Sequence, residues 1–406
     1  MLIPEDWFSA KPLRSKTFEA FWWGSLLSNI GTWMQSVAEP WLVLSLGGSS
    51  FLLGLDAFAT NAPFWILALL GGVLADRRDR TLIIYVFQGI QMLCPALIVL
   101  LVAGGFIKVW MIIAISAVVG ITDALSAPAF SSLIPSIVPS DDLGAALALN
   151  SIQFNLSRVL GPAVAGLVML RYGFLWCFGA NVASYIPLFL AVKWLTPTVK
   201  RAAPAMAPAE NFRTTIRGIA HVAQHSNSRW ALLSVLCTSL FCGPVLTFSP
   251  VIVKRLLHAG VGEFGGVLTA FGIGGMAGPV LILFAVKRVD PMKMSLIAAA
   301  VYGAFVIGVS RVGAIWELAT LLVGCGFLLT VANTSANTYL QSQANDQTRG
   351  QTASLFMLAT RGGLSLGNLI TGTMIGFSSV PVVFLVNGLV AAGIQIFIFR
   401  RMRNGR

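Results

Sequence analysis

Five consecutive charged residues, Asp76-Arg77-Arg78-Asp79-Arg80, stand between two long apolar runs. In a chain with only 10% charged residues, such a knot cannot lie in hydrocarbon and must form a tight loop at a membrane surface. Lys and Arg concentrate in short cytoplasmic loops, which places this loop inside. A membrane span takes about 20 apolar residues, and runs of that length recur along the chain. Spans one to six are expected at about 18–46, 51–75, 82–104, 109–134, 143–170 and 174–195. Spans seven to twelve are expected at about 230–253, 264–286, 292–310, 315–339, 350–376 and 380–399.

The chain is 56% hydrophobic, with mean hydropathy +0.82. Soluble globular domains carry about 25% charged residues, so that class is excluded. The net charge of +12 reads as basic cytoplasmic loops beside anionic lipid rather than as a nucleic-acid surface. Of the 27 Lys and Arg, this layout puts 20 inside, 5 outside and 2 (Arg158 and Arg361) within spans. An even number of spans with both termini in the cytoplasm follows. The first 16 residues hold Glu5 and Asp6 and no apolar core, so no cleaved signal peptide is expected. Trp22 and Trp23 suit the inner interface and Trp41 the outer one.

Several chemistries have no carrier. No Gly-x-x-x-x-Gly-Lys-Ser/Thr loop is present, so direct ATP use is not expected. Cys94, Cys177, Cys237, Cys242 and Cys325 all fall in apolar runs and read as small buried hydrophobes. No nucleophile triad and no zinc or haem spacing can be built. The chain is expected to be no enzyme and to use no cofactor or metal.

The polar stretch 197–229 holds five arginine and lysine residues and three prolines, and reads as a linker between an N-terminal half, 1–196, and a C-terminal half, 230–406. Residues near Phe212–Ala223 read as a surface amphipathic helix. The halves repeat. A shift of 206 carries Gly161 onto Gly367, Gly166 onto Gly372, Phe178 onto Phe384 and Asn181 onto Asn387. Leu55-Asp56-Ala57-Phe58 resembles Leu268-Thr269-Ala270-Phe271, and Lys287-Arg288-Val289-Asp290 is a degenerate trace of the charged loop. The chain is therefore read as an all-α membrane protein of twelve transmembrane helices in two pseudo-symmetric six-helix halves, with a substrate site near the midplane between them.

The pattern Gly72-x-Leu74-Ala75-Asp76-Arg77-x-x-Arg80 resembles the signature loop between the second and third helices of the major facilitator superfamily. Asp79 stands where that motif has glycine, and Thr81 where it has a basic residue. The stretches Gly31-Thr32-Trp33-Met34-Gln35, Ala146 to Ser151 and Arg158-Val159-Leu160-Gly161-Pro162 resemble the branch containing the enterobactin exporter and related secretion transporters. The resemblance implies the major facilitator fold, a monomer in a bacterial inner membrane, and alternating access. It implies that Gly72, Asp76, Arg77 and Arg80 form a conformational switch that stabilises the outward-open state. Gly161-Pro162 also resembles part of a fifth-span motif of proton-coupled antiporters, and with Gly166 it reads as a helix-packing and bending element.

A charge inside a span costs about 2.5–3.5 kcal/mol on insertion scales, so each one is a candidate for function. Glu39 shares span one with Asn29, Trp33 and Gln35, and reads as a protonatable carboxylate or as one that reaches outside water. Asp123, midway along span four, reads equally as a protonatable carboxylate or as a fixed partner of Arg158. Arg158 and Arg361 either hold an anionic substrate as forked donors or pair internally. Ser151, Asn155, Arg158 and Pro162 share one helical face, and Arg361, Ser365, Asn368 and Gly372 another; both should face away from lipid. Asp56 reads as an interface residue.

The function these observations predict is export of a small amphipathic organic molecule, a siderophore or drug-like compound, driven by protons. Two alternatives stand beside it: a lipid or lysolipid transporter of the same fold, and a membrane sensor that does not transport.

Overall fold

The structure is a computed structural model that describes residues 11–195, 226–285, 289–344 and 349–404. The expected surface helix near Phe212–Ala223 and the side chains of Asp76, Arg77, Lys287 and Arg349 lie outside the described residues. Every regular element described is a helix. That follows from the solvent: in hydrocarbon each backbone N–H and C=O must be satisfied within its own segment. Nine stretches among the described residues are long and apolar enough to cross a membrane.

The helices are α1 (Lys16–Ser45), α2 (Ser50–Asn61), α3 (Pro63–Arg77), α4 (Arg80–Ala103), α5 (Val109–Ile137), α6 (Leu143–Tyr172) and α7 (Leu175–Leu195). After the linker come α8 (Ser226–Cys237), α9 (Val261–Ala285), α10 (Pro291–Val309), α11 (Ile315–Gln343), α12 (Arg349–Phe377) and α13 (Val380–Asn404). Two expected spans are not single helices. The second breaks between α2 and α3 at Ala62, because Pro63 brings no N–H to continue the ladder and starts a new helix instead. The seventh continues past α8 as a π-helical turn (Thr238–Cys242), two short helical turns begun around Pro244 and Pro250, and a second π-helical turn (Ile252–Leu256).

The outside is apolar, as lipid requires, and polar side chains are buried among apolar ones inside. On α4, Gln88 and Gln91 are buried and hydrogen-bonded to each other at 3.1 Å, while Leu93, Leu97 and Leu100 stand exposed. The five cysteines are free thiols; four are buried and Cys237 is half-buried. Trp22 is buried and donates its indole N–H to the Leu149 carbonyl at 3.0 Å, whereas Trp23 is exposed. The helical turn of about 100° per residue sends the two neighbours to different faces.

By packing, the chain forms two compact units: Met1–Leu42 with Ile66–Met206, and Val43–Trp65 with Ala207–Arg406. In the first, Phe18, Trp22 and Leu26 of α1 meet Ile84 of α4, Leu133 of α5 and Val192 of α7 in one apolar cluster. In the second, Met292, Leu296, Tyr339 and Ile398 form a cluster with Ala231 of α8. The second unit includes α2, which lies backbone-to-backbone on α12. A Cβ on Gly54 would meet the Asn368 carbonyl at 2.5 Å, and one on Gly372 would meet the Ser50 carbonyl at 2.6 Å. Arg255 donates to the Gly48 carbonyl at 3.0 Å and fixes the turn that enters α2.

The 206-residue repeat is visible as packing. A Cβ on Gly161 of α6 would run into Trp33 and the Ile30 carbonyl (3.0 Å) of α1. A Cβ on Gly367 of α12 would run into the backbone of Leu240 in the seventh span, with Leu240 Cα at 2.9 Å. Each glycine lets the fifth or eleventh span touch the backbone of the first or seventh. Phe178 and Phe384 are both fully buried.

Candidate functional site

The polar residues of α1 spread over one broad face with two edges. Gln35 and Glu39, four residues apart, share one of them. The Gln35 amide donates to Glu39 Oε2 at 2.8 Å. Ser116 of α5 donates its hydroxyl to Glu39 Oε1 at 2.7 Å. Asn181 of α7 donates its amide to Gln35 Oε1 at 2.6 Å, and Ser184 donates to Asn181 Oδ1 at 3.2 Å. One carboxylate thus ends a chain of hydrogen bonds that crosses three helices. The close approach of α7 depends on Gly31, where a Cβ would collide with Ser184 and come within 2.7 Å of Asn181 Oδ1.

The wiring has a chemical direction. Asn181 and Gln35 each donate toward Glu39 and are committed to that sense, because reversing it means turning both amides. Ser116 is a hydroxyl and can donate or accept by rotating. Glu39 is half-buried, and its carboxylate sits between an amide that donates to it and a hydroxyl that can turn either way. Asp123 lies seven residues beyond Ser116 on the same face of α5, about 10.5 Å along the axis, and is half-buried.

Asn29 and Trp33, four residues apart, lie along the other edge of that face of α1. The Arg158 guanidinium lies 5.7 Å from the centroid of the Trp33 ring, and Phe154 meets the same ring edge-on at 6.3 Å. Asn155 donates its amide back to the Ser151 carbonyl at 2.8 Å, a bond within its own helix. The structure therefore joins Gln35 to Glu39 and Trp33 to Arg158, in two separate groups.

In the second unit, Ser365, Asn368 and Gly372 are buried, as their shared face predicts. The Ser365 hydroxyl lies 3.3 Å from the Phe58 carbonyl of α2. Asn368 Oδ1 is buried with no hydrogen-bond partner among the described residues. Arg361 sits over the Phe64 ring at 4.5 Å, a cation–π contact. Asp56 is only 5% exposed: the face of α2 that bears it is inside the unit.

Another polar group was not foreseen. Gln395 accepts from the Ser234 hydroxyl at 2.7 Å and donates to the Ser234 carbonyl and Thr238 Oγ1, both at 3.1 Å. Tyr302 donates to the Cys242 carbonyl, in the same span as Ser234, at 3.1 Å. The unusual density of Ser and Thr in the seventh span was the available signal. Asn181 and Asn387 were marked by the repeat, but not as partners of Gln35 and, at 3.0 Å, of Thr371 Oγ1.

In the charged loop, Asp79 caps α4: Oδ1 accepts from the Thr81 N–H at 2.8 Å and the Thr81 hydroxyl at 2.6 Å. The two departures from the motif thus work together as a helix start. Asp290 caps α10 in the same way, accepting from the Met292 N–H at 2.8 Å, so the trace of the loop in the second half is its cap. Arg80 donates to the Ser132 carbonyl at 3.2 Å and ties α4 to α5. A Cβ on Gly72 would meet nothing within 4 Å. Among the described residues no cluster of His, Cys, Asp or Glu could hold a metal ion.

Comparison with known proteins agrees with this architecture. The family described as transmembrane secretion effector matches residues 8–405. The staphyloferrin A transporter of Staphylococcus aureus is 22% identical over 391 residues, covering 94% of this chain and 96% of that protein. The enterobactin exporter EntS of Citrobacter koseri is 22% identical, covering 87% and 84%. Among solved structures, a POT family transporter superposes with TM-score 0.75 at 10% identity, covering 94% and 95% of the two chains. The nucleoside transporter NupG superposes with TM-score 0.71 at 12% identity, covering 95% and 98%.

Proposed function

The chain belongs to the transmembrane secretion effector family of the major facilitator superfamily, and from that premise we propose that this membrane transporter is a proton-driven exporter of a small amphipathic organic molecule, with siderophores the first class to try. The observation that carries the reading is the Glu39 carboxylate, held by Gln35 and Ser116 inside a span. An ionised group at that depth is expensive, and its hydrogen bonds accommodate either protonation state. The siderophore class is suggested by the relatives, whose names specify staphyloferrin A and enterobactin.

In this reading the halves 1–196 and 230–406 rock about a central site, in a bacterial inner membrane, as a monomer with both termini in the cytoplasm. Glu39, with Asp123 beyond it, takes a proton from outside and gives it up inside. Asn29, Trp33 and Arg158 line the path on one side, and Arg361 and Asn368 on the other. The loop around Gly72, Asp76, Arg77 and Arg80 holds one state, and Gly161, Pro162 and Gly166 keep the fifth span close-packed as it moves. Uptake into inside-out vesicles under an imposed proton gradient tests this, using a catecholate siderophore, a lysolipid, and cationic and neutral drugs. Accumulation of one compound that collapses with an uncoupler is the expected result. No proton-dependent movement of any compound, with folded protein present, overturns it.

A further inference from the structure

A groove of about 350 Å³ runs along α8 and α12 in the second unit. Its walls repeat at helical spacing: Leu232, Leu233 and Leu236 on α8, and Leu355, Ala359, Gly362 and Leu366 on α12. At 1.5 Å per residue, the α12 wall from 355 to 366 is about 16 Å long. That is about half of a 30 Å hydrocarbon core, the depth of one leaflet.

Among the residues that line the groove only Arg229 carries a charge, and the rest present apolar surface. Trp65 closes the wall: its ring lies on Gly362, where a Cβ would meet Nε1 at 3.1 Å. Arg229 stands one turn before Leu232 and Leu233, at the end of the groove. It is exposed, and its guanidinium lies 5.4 Å from the centroid of the Trp230 ring. Tryptophan settles at the membrane–water boundary, so this pair marks where hydrocarbon gives way to headgroups. The excess of basic residues in the flanking linker assigns that end to the cytoplasm. An occupant must therefore be hydrocarbon for the depth of one leaflet and anionic at the cytoplasmic end.

We propose that this groove seats one acyl chain of an anionic phospholipid of the cytoplasmic leaflet, with its phosphate on Arg229. The inference rests on the orientation of the chain and not on the transport reading, because binding is read directly. A guanidinium pairs with phosphate oxygens as a fork, and basic pockets between helices on this side of a membrane recognise anionic headgroups.

The test uses the full-length protein in phosphatidylcholine nanodiscs doped with phosphatidylglycerol carrying a photoreactive acyl chain. A matched photoreactive phosphatidylcholine is the control. After illumination, adducts are mapped by peptide mass spectrometry. Adducts should fall within 232–236 and 355–366, and phosphatidylglycerol should label about fivefold more than phosphatidylcholine, the preference given by one basic residue at the surface. Arg229→Gln, an exposed position that should leave folding intact, should erase that preference. Ala359→Trp should fill the groove and remove adducts from both segments. Equal labelling by the two lipids, adducts confined to other helices, or unchanged labelling in Ala359→Trp overturns the proposal.

Discussion

The first and seventh spans hold matching places in the repeat, each against a glycine of the fifth or eleventh span, yet they are built differently. α1 is an unbroken helix of 30 residues that runs through Pro40. The seventh span is α8 followed by two π-helical turns and two prolines. Around the first span Gln35, Ser116 and Asn181 bond side chain to side chain and end on the Glu39 carboxylate. Around the seventh, several polar side chains reach backbone instead: Tyr302 answers the Cys242 carbonyl, Gln395 the Ser234 carbonyl, and the Ser249 hydroxyl the Leu246 carbonyl. A polar residue in a membrane helix has two uses, to replace a missing backbone bond or to carry chemistry. Counting polar residues does not separate them; their partners do.

The largest test of that contrast is functional. Glu39→Gln and Asp123→Asn should each bring uncoupler-sensitive uptake down to that of empty vesicles while the protein remains monodisperse. Gln395→Leu should alter folding stability instead. Proton-driven uptake retained in both carboxylate variants would break the assignment of chemistry to the first unit.

Packing comes next. Gly161→Leu and Gly367→Leu should each destabilise by ~1–3 kcal/mol or more, since neither backbone contact leaves room for a side chain. Thermal unfolding in detergent measures this, and a loss at only one site would end the equivalence of the two spans.

Tyr302→Phe should cost about 1–3 kcal/mol, because it strands the Cys242 carbonyl. Hydrogen exchange should quicken around 238–242. Ser116→Ala removes a bond of about the ordinary 0.5–1.5 kcal/mol, and its larger effect should be on how uptake depends on pH. Smallest of all, Asp79→Ala and Asp290→Ala should each cost about 1 kcal/mol of helix stability, by similar amounts, because the two caps are alike.

Much of the fold was legible because a membrane imposes it. Span lengths follow from bilayer thickness, and the loop at Asp76–Arg80 could lie only at a surface. The pairing of Gly161 with Gly367 could be read from spacing alone, since nothing larger fits either contact. What stayed hidden was which way side chains turn. α5 and α10 are so apolar around their circumference that periodicity marks no inner face, so Ser116 and Tyr302 gave no sign of their partners. Trp22 and Trp23 look alike in sequence, and only one is at the surface. Pro63 was visible, but whether a proline bends a span or divides it depends on what replaces the lost bond. Pro40 lies within a continuous helix, whereas Pro63 begins a new one.

Consider the seventh span as a mechanical part. A continuous α-helix resists bending along its whole length, because each turn is tied to the next by the same bonds. At Thr238–Cys242 and Ile252–Leu256 those ties are re-spaced, and at Pro244 and Pro250 one is missing. The span is a rod with compliant joints toward one end and a stiff shaft, α8, at the other. Load placed on it will flex the joints and leave the shaft straight, so α8 and the groove beside it can keep their shape while the opposite end of the same span changes its own.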